Sequence, residues 1–186
     1  MSKIGTKTLF AVVALAAMAI STQASAQRKF TFAYDQPRTT AYGIAADLFD
    51  AKLKEVSGGK MSIDQFPGAQ LGQEPVALQK VRSGDIDFVI TSTANASTLA
   101  PQAGVFSLHF IFRDKDHLAK TLADPGVSKA FRDMVKESVQ GAQVLGLMTM
   151  GMRNIYSKKE IKSVDDLKGQ KIRVQATKTE DTHFPA

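Results

Sequence analysis

The sequence predicts an α/β fold whose sheet is largely parallel, and three observations carry that expectation. The runs KFTFAY (29–34), MSIDQF (61–66) and DFVIT (87–91) are alternating or wholly apolar and rich in β-branched and aromatic residues, as strands are. Two stretches between them carry apolar residues at helical spacing. The resulting order of strand, helix, strand, helix, strand is that of a parallel sheet whose crossovers are helices.

The elements follow in order. Asp35, Gln36 and Pro37 break the first strand, and a helix is expected over 40–56 with Tyr42, Ala45, Ala46, Phe49, Leu53 and Val56 on its apolar face and Asp47, Asp50, Lys54 and Glu55 elsewhere on the surface. Ser57, Gly58 and Gly59 end it. Pro67 and Gly68 close the second strand. Pro75 fits the first turn of the next helix, which carries Val76, Leu78 and Val81 and stops at Ser83 and Gly84. The strand 87–91 is expected to be buried on both faces. Ligands of such sheets sit beyond the carboxyl ends of the strands, so 34–38, 67–74 and 91–95 are the segments of interest. In the last of these, Thr91, Ser92, Thr93 and Asn95 offer a polar lining of hydroxyls and an amide, or else an ordinary solvated loop.

Residues 104–112 (GVFSLHFIF) read as an apolar connection or strand. His109 within it lacks a spaced ligand partner, so a structural role is expected rather than metal binding. Asp114 caps a helix ending near Asp124 and Pro125, with His117 exposed on it, and 127–139 repeats the helical pattern through Val127, Ala130, Phe131, Met134, Val135 and Val139. A strongly apolar strand is expected over 143–150. Ser163 caps a short turn at 164–167, and a strand over 171–175 (KIRVQ) follows. Thr177 and Glu180 have the spacing of a capping box that opens a further helix.

The first 26 residues stand apart. Lys3 and Lys7 precede a twelve-residue apolar run, LFAVVALAAMAI, and Ala24, Ser25 and Ala26 supply small residues for signal peptidase, so export and cleavage after Ala26 are expected. Such a run makes about 18 Å of helix against a hydrocarbon core of about 30 Å, too short for an anchor. These residues hold two of the 24 basic side chains and none of the 18 acidic ones, leaving 22 against 18 and a net charge of +4 from Gln27 onward. That modest balance, without a basic run interleaved with aromatics, argues against nucleic acid as a partner. The absence of cysteine suits a periplasmic protein that folds without disulfides.

Two arginines draw the reading toward function. Arg173 alternates with Ile172 and Val174, and Arg153 follows the apolar run ending at Met150, with Gly151 between them. If the two guanidinium groups converge they need an anion, and a carboxylate matches their planar fork. Otherwise they are solvated or paired with Asp165 and Asp166. An exported hydrolase or lyase is the rival from another class. Neither G-x-S-x-G, HExxH nor a cysteine nucleophile occurs, and Asp85 and Asp87 read as solvated turn acids rather than a catalytic pair. Catalytic residues, cofactors and metals are therefore not expected.

QLGQE followed by a helix and SGDIDF, the stretch LAPQAGVFSLHFIF, and above all GMR with DLKGQKIRV resemble the DctP-type periplasmic solute-binding subunits of tripartite ATP-independent periplasmic (TRAP) transporters. The resemblance covers the chain from about Arg28 to Ala186. It implies two α/β lobes that close on an organic acid, with Arg173 making the bidentate carboxylate contact and Arg153 assisting. Glu74, Thr91, Ser92 and Thr93 are cleft-facing by the same similarity. A membrane permease pair is the implied partner and a monomer the implied state; a ligand-sensing subunit for a signalling receptor is the alternative within the class. Members are longer, so the chain reads as C-terminally truncated: a signal peptide (1–26), most of a first lobe (27–148) and the start of a second (149–186). His109 stands where the family usually has proline.

Overall fold

The computed structural model of the chain describes residues 27–151, 153–175 and 177–183. The expected export signal, 1–26, lies outside them. Strand β1 (Arg28–Ala33) is the centre of a three-stranded parallel sheet in the order β2-β1-β3. Helix α1 (Ala41–Val56) carries the chain from β1 to β2 (Met61–Phe66), which pairs from Arg28↔Met61 through Ala33↔Phe66. Helix α2 (Glu74–Ser83) then carries it to the other edge, where β3 (Phe88–Val89) pairs with Phe32 and Ala33.

Alternation along β1 supplies both faces of the sheet. Phe32 and Tyr34 point one way, into a cluster with Tyr42, Ala46 and Ile63 against which Phe30, Phe49, Leu53 and Phe88 pack. Edge-to-face rings tie it together, with centroids 5.1 Å apart for Phe49–Phe88 and 5.5 Å for Phe30–Phe88, each pair contributing about 0.5–1.5 kcal/mol beyond area burial. Ala33 points the other way, to Ala77 of α2 and Ile86. Val56, expected on the apolar face of α1, is exposed because the helix ends there and runs past the sheet. Asp50, expected on the surface, is half-buried and accepts from the Ile63 N–H of the edge strand at 2.9 Å.

The third strand is shorter than 87–91 and only half-buried, because its first residue does other work. Thr31 donates to Asp87 Oδ2 from both its N–H and its hydroxyl at 2.9 Å, and Asp87 N–H donates back to Thr31 Oγ1 at 2.8 Å. This clip fixes β3 against β1, so Asp87 is structural rather than merely solvated; Asp85 accepts from Ser83 at 2.6 Å.

Beyond β3, the short α3 (Thr93–Ala96), a 3-10 segment (Pro101–Ser107), α4 (Lys115–Ala123) and α5 (Pro125–Ser138) build a separate cluster from Ala100, Ala103, Phe131, Val135 and Val139. The expected cap forms, Asp114 Oδ1 accepting from His117 N–H at 2.7 Å; Asp124, expected only where α4 ends, also caps α5, its Oδ1 accepting from Gly126 and Val127 N–H at 2.8 and 3.0 Å. Of the two readings of residues 104–112 the connection holds, since they begin in the 3-10 segment that Pro101 opens. Four expectations are corrected here. His117 is half-buried, with Nδ1 accepting from Arg113 N–H at 3.3 Å, and Ala130 is exposed. Residues 143–150 and 171–175 form no strand, because an extended run becomes one only when a neighbour takes its amides and carbonyls, and the described residues offer none.

Gly43, in the first turn of α1, packs so tightly that a Cβ would overlap the backbone carbonyl of Arg38. Backbone cannot move aside as a flexible side chain can. Gly43→Ala is expected to lose about 3 kcal/mol in urea denaturation.

Candidate functional site

Because the chain leaves β1 for one edge of the sheet and reaches β3 at the other, the loops after β1 and β3 part company at the carboxyl ends of these strands. Such a reversal leaves a crevice, and crevices of this kind are where α/β sheets bind ligands. Asp35 follows β1 there, Thr91 follows β3, and α2 presents Glu74 from its first turn.

Glu74 organises this place. Although ionisable, it is only 4% exposed. Its Oε2 accepts from Thr91 Oγ1 at 3.0 Å, Ser92 N–H at 2.9 Å, Ser92 Oγ at 2.8 Å and Asn95 Nδ2 at 2.6 Å. Hydrogen bonds to a charged acceptor are the strong ones, and the helix N-terminus favours an anion, so burial is sustained. Thr91 and Ser92, expected to line a cleft, are thereby committed to Glu74, while Thr93 bonds Ser107 at 3.1 Å.

Asp35 and Tyr42 complete the acidic side. Burial first, and then the neighbouring Glu74 carboxylate, push the half-buried Asp35 carboxyl above its usual range. Tyr42 is driven strongly upward by burial and by both carboxylates, so its hydroxyl stays protonated.

The opposite side comes from far along the chain. Gln175 Nε2 donates to Ser92 Oγ at 3.1 Å, bringing 171–175 to the loop after β3. Arg173, two residues earlier, is exposed and has no hydrogen bond or ion pair among the described residues. Arg153 differs. Its Nη1 donates to Glu180 Oε1 at 2.7 Å, and Glu180, 2% exposed in α6 (Lys178–His183), also lies with Oε2 3.4 Å from His109 Nε2. The capping box expected of Thr177 and Glu180 is thus half made: Thr177 Oγ1 accepts from Glu180 N–H at 3.4 Å, but the carboxylate goes to Arg153, since a buried charge needs a counter-charge more than a terminal amide. Asp165 and Asp166, the alternative partners, take Lys168 and the amides of Lys162 and Ser163.

Sequence reasoning missed Asp35, Tyr42 and Gln175. Asp35 follows a strand end and Tyr42 sits in a helix's first turn, so position at the crossover was the signal available for them, where residue type read a breaker and a core ring; Gln175 carried no such signal. Glu74→Ala leaves four donors without their acceptor and is expected to cost about 3 kcal/mol in urea denaturation. For Asp35 the sign follows from its raised pKa. The shift contributes stability fully below the ordinary aspartate range and loses it as pH rises through the raised value, when two like charges face each other. Asp35→Asn therefore raises Tm at pH 7 by calorimetry, and the gain disappears as pH falls toward 3.

The arrangement has relatives. The family model described as bacterial extracellular solute-binding protein, family 7, DctP, matches residues 32–186. The chain is 34% identical over 158 residues to the 2,3-diketo-L-gulonate-binding periplasmic protein YiaO of Escherichia coli, covering 83% of this chain and 47% of that protein. It is 30% identical over 156 residues to the C4-dicarboxylate-binding protein DctB of Bacillus subtilis, covering 83% of this chain and 44% of that protein. Among solved structures it is similar to a TRAP periplasmic solute-binding protein of Xanthobacter autotrophicus with bound β-D-galacturonate, with a TM-score of 0.77, 30% identity, and coverage of 82% of this chain and 50% of that one. The chain spans about half the length of the curated relatives it matches. Its α/β fold is that of the TRAP periplasmic solute-binding proteins over that half, and the chain belongs to the DctP family, bacterial extracellular solute-binding protein family 7.

Proposed function

We propose that this chain belongs to an exported solute-binding protein that captures an organic acid by its carboxylate and delivers it to the membrane permease of a TRAP-type transporter. The observation that carries the reading is the Gln175–Ser92 hydrogen bond, which brings the segment bearing an uncommitted Arg173 to the crevice where β1 and β3 end. A guanidinium fork with no protein partner in such a place suits a carboxylate. The relatives support the chemistry: the named proteins bind a C4-dicarboxylate, a diketo sugar acid and a uronate.

In this reading Arg173 makes two charge-assisted hydrogen bonds to the acid, each contributing about 1.5–3 kcal/mol net. Together with burial they supply much of the roughly 8 kcal/mol that micromolar binding represents. Arg153 assists from beside the site, its charge shared with Glu180, while Glu74 with Thr91, Ser92 and Thr93 shapes the opposite wall. Residues 27–148 form the first lobe and 149–186 begin the second; closure of the lobes is the state a permease reads. Residues 1–26 direct export to the periplasm and are removed after Ala26. Capture involves no chemistry, no cofactor and no metal, and the protein acts as a monomer.

The two arginines separate experimentally. Arg173→Ala is expected to abolish the thermal stabilisation by D-galacturonate or succinate, while changing the unliganded stability by no more than about 0.5 kcal/mol, since it breaks no ion pair. Arg153→Ala strands the buried Glu180 and is expected to cost about 2 kcal/mol in urea before any ligand is added. A ligand-induced shift that survives Arg173→Ala removes that residue from the site.

A further inference from the structure

The surplus positive charge of the chain is concentrated in one stretch. Residues 153–173 hold seven basic side chains, two of them arginines and five lysines, against the three acids Glu160, Asp165 and Asp166, whereas the rest of the chain from Gln27 onward balances at fifteen of each sign. The net +4 therefore lies in these residues, and all ten of their charged side chains are exposed. Ion pairs take up part of it: Lys162 lies 3.3 Å from Glu160, Lys168 2.8 Å from Asp165, and Arg153 2.7 Å from Glu180. Lys158, Lys159 and Lys171 have no carboxylate partner among the described residues.

The same stretch exposes apolar surface. Tyr156 is 92% exposed, Val164 81% and Ile155 51%. Ile155 shares an open hollow of about 380 Å³ with Ser157, Lys159 and Ile161, so apolar and cationic side chains lie side by side. From Arg153 to Lys162 the chain forms neither helix nor strand that would fix these groups in one pattern. A protein partner reads a fixed arrangement of charges. A fluid layer of anionic headgroups instead rearranges around whatever arrangement it meets, attracts lysines without requiring a register, and receives a tyrosine ring at headgroup depth.

We propose that residues 153–173 form a docking strip for an anionic phospholipid surface, with Lys158, Lys159 and Lys171 supplying the attraction and Tyr156 and Val164 entering the headgroup layer. The inference goes beyond the carboxylate-capture reading and does not rest on it. The association is peripheral and reversible, as for other polybasic segments. Each lysine near such a surface raises the partition about fivefold, so three raise it about a hundredfold. Salt cancels most of that gain, because the screening length falls from about 10 Å at 0.1 M to about 3 Å at 1 M.

Co-sedimentation of the whole chain with vesicles of phosphatidylcholine alone, and of phosphatidylcholine mixed equally with phosphatidylglycerol, tests this in about 0.1 M and about 1 M salt. Binding is expected to favour the anionic vesicles and to weaken at high salt. Lys158→Gln, Lys159→Gln and Lys171→Gln together should lower it at least about tenfold at low salt, while the same change of charge at Lys115, Lys120 and Lys136 on α4 and α5 should lower it less than about threefold. Both variants keep residues 1–26, so whatever that apolar run contributes is common to them. Tyr156→Ser leaves the charge unchanged and should still weaken binding, since the ring is lost from the headgroup layer. Equal binding to the two kinds of vesicle, equal losses in the two lysine variants, or a Tyr156→Ser protein that binds as well as the parent overturns the lipid strip. Arg153 and Arg173 stay in place throughout, so carboxylate capture stands or falls separately.

Discussion

One buried carboxylate holds together the loops at the carboxyl end of the sheet. Glu74 sits at the start of α2 with its charge out of water, a situation that costs several kcal/mol unless donors surround it. Four donors from Thr91, Ser92 and Asn95 do so, and the amide dipoles of α2 add a favourable field. The dependence then passes outward. Ser92, held by Glu74, is the residue that receives Gln175, so the placement of 171–175 relies at one remove on the same anion. An apolar residue at 74 would leave the loop after β3 with no common acceptor, and Ser92, on which the later segment docks, without its partner.

The sheet sets where this happens. With β1 in the middle, α1 and α2 must lead to opposite edges, and the loops at its carboxyl end diverge. The reciprocal Thr31–Asp87 clip fixes the start of β3 against β1, and the pairing stops at Val89, where β1 itself ends. The polar run after it is thus outside the ladder, and Thr91 and Ser92 turn to Glu74.

Much of the fold was legible because hydrophobic periodicity reports which face of an element is buried. Strands at 29–34 and 61–66 and the helices over 40–56, 115–123 and 127–139 emerge close to their observed places, and the cap Asp114 marks a true helix start. Periodicity does not report who the neighbour is. Residues 143–150 and 171–175 have strand-like composition yet lie outside the sheet, since a ladder needs a second chain segment and no one-strand pattern can name it. The acidic side of the site was hidden for a related reason. Asp35 reads as a strand breaker and Tyr42 as a core ring, and only the parallel crossover places them both against Glu74.

Arg153 and Arg173 show how the same residue type acquires different roles from burial alone. An exposed carboxylate gains little from a guanidinium, because water already solvates it; a buried one cannot keep its charge without a partner. Glu180 is buried, and it takes Arg153, the arginine within reach. Asp165 and Asp166 are exposed, already satisfied by Lys168 and by backbone amides, and exert no comparable pull. Arg173 is left with its fork uncommitted among the described residues, close in sequence to Gln175, whose side chain touches the loop after β3. An anion arriving there competes with water rather than with a protein carboxylate. Glu180, by engaging Arg153, leaves the two arginines in different states: one paired with a buried carboxylate, the other solvated.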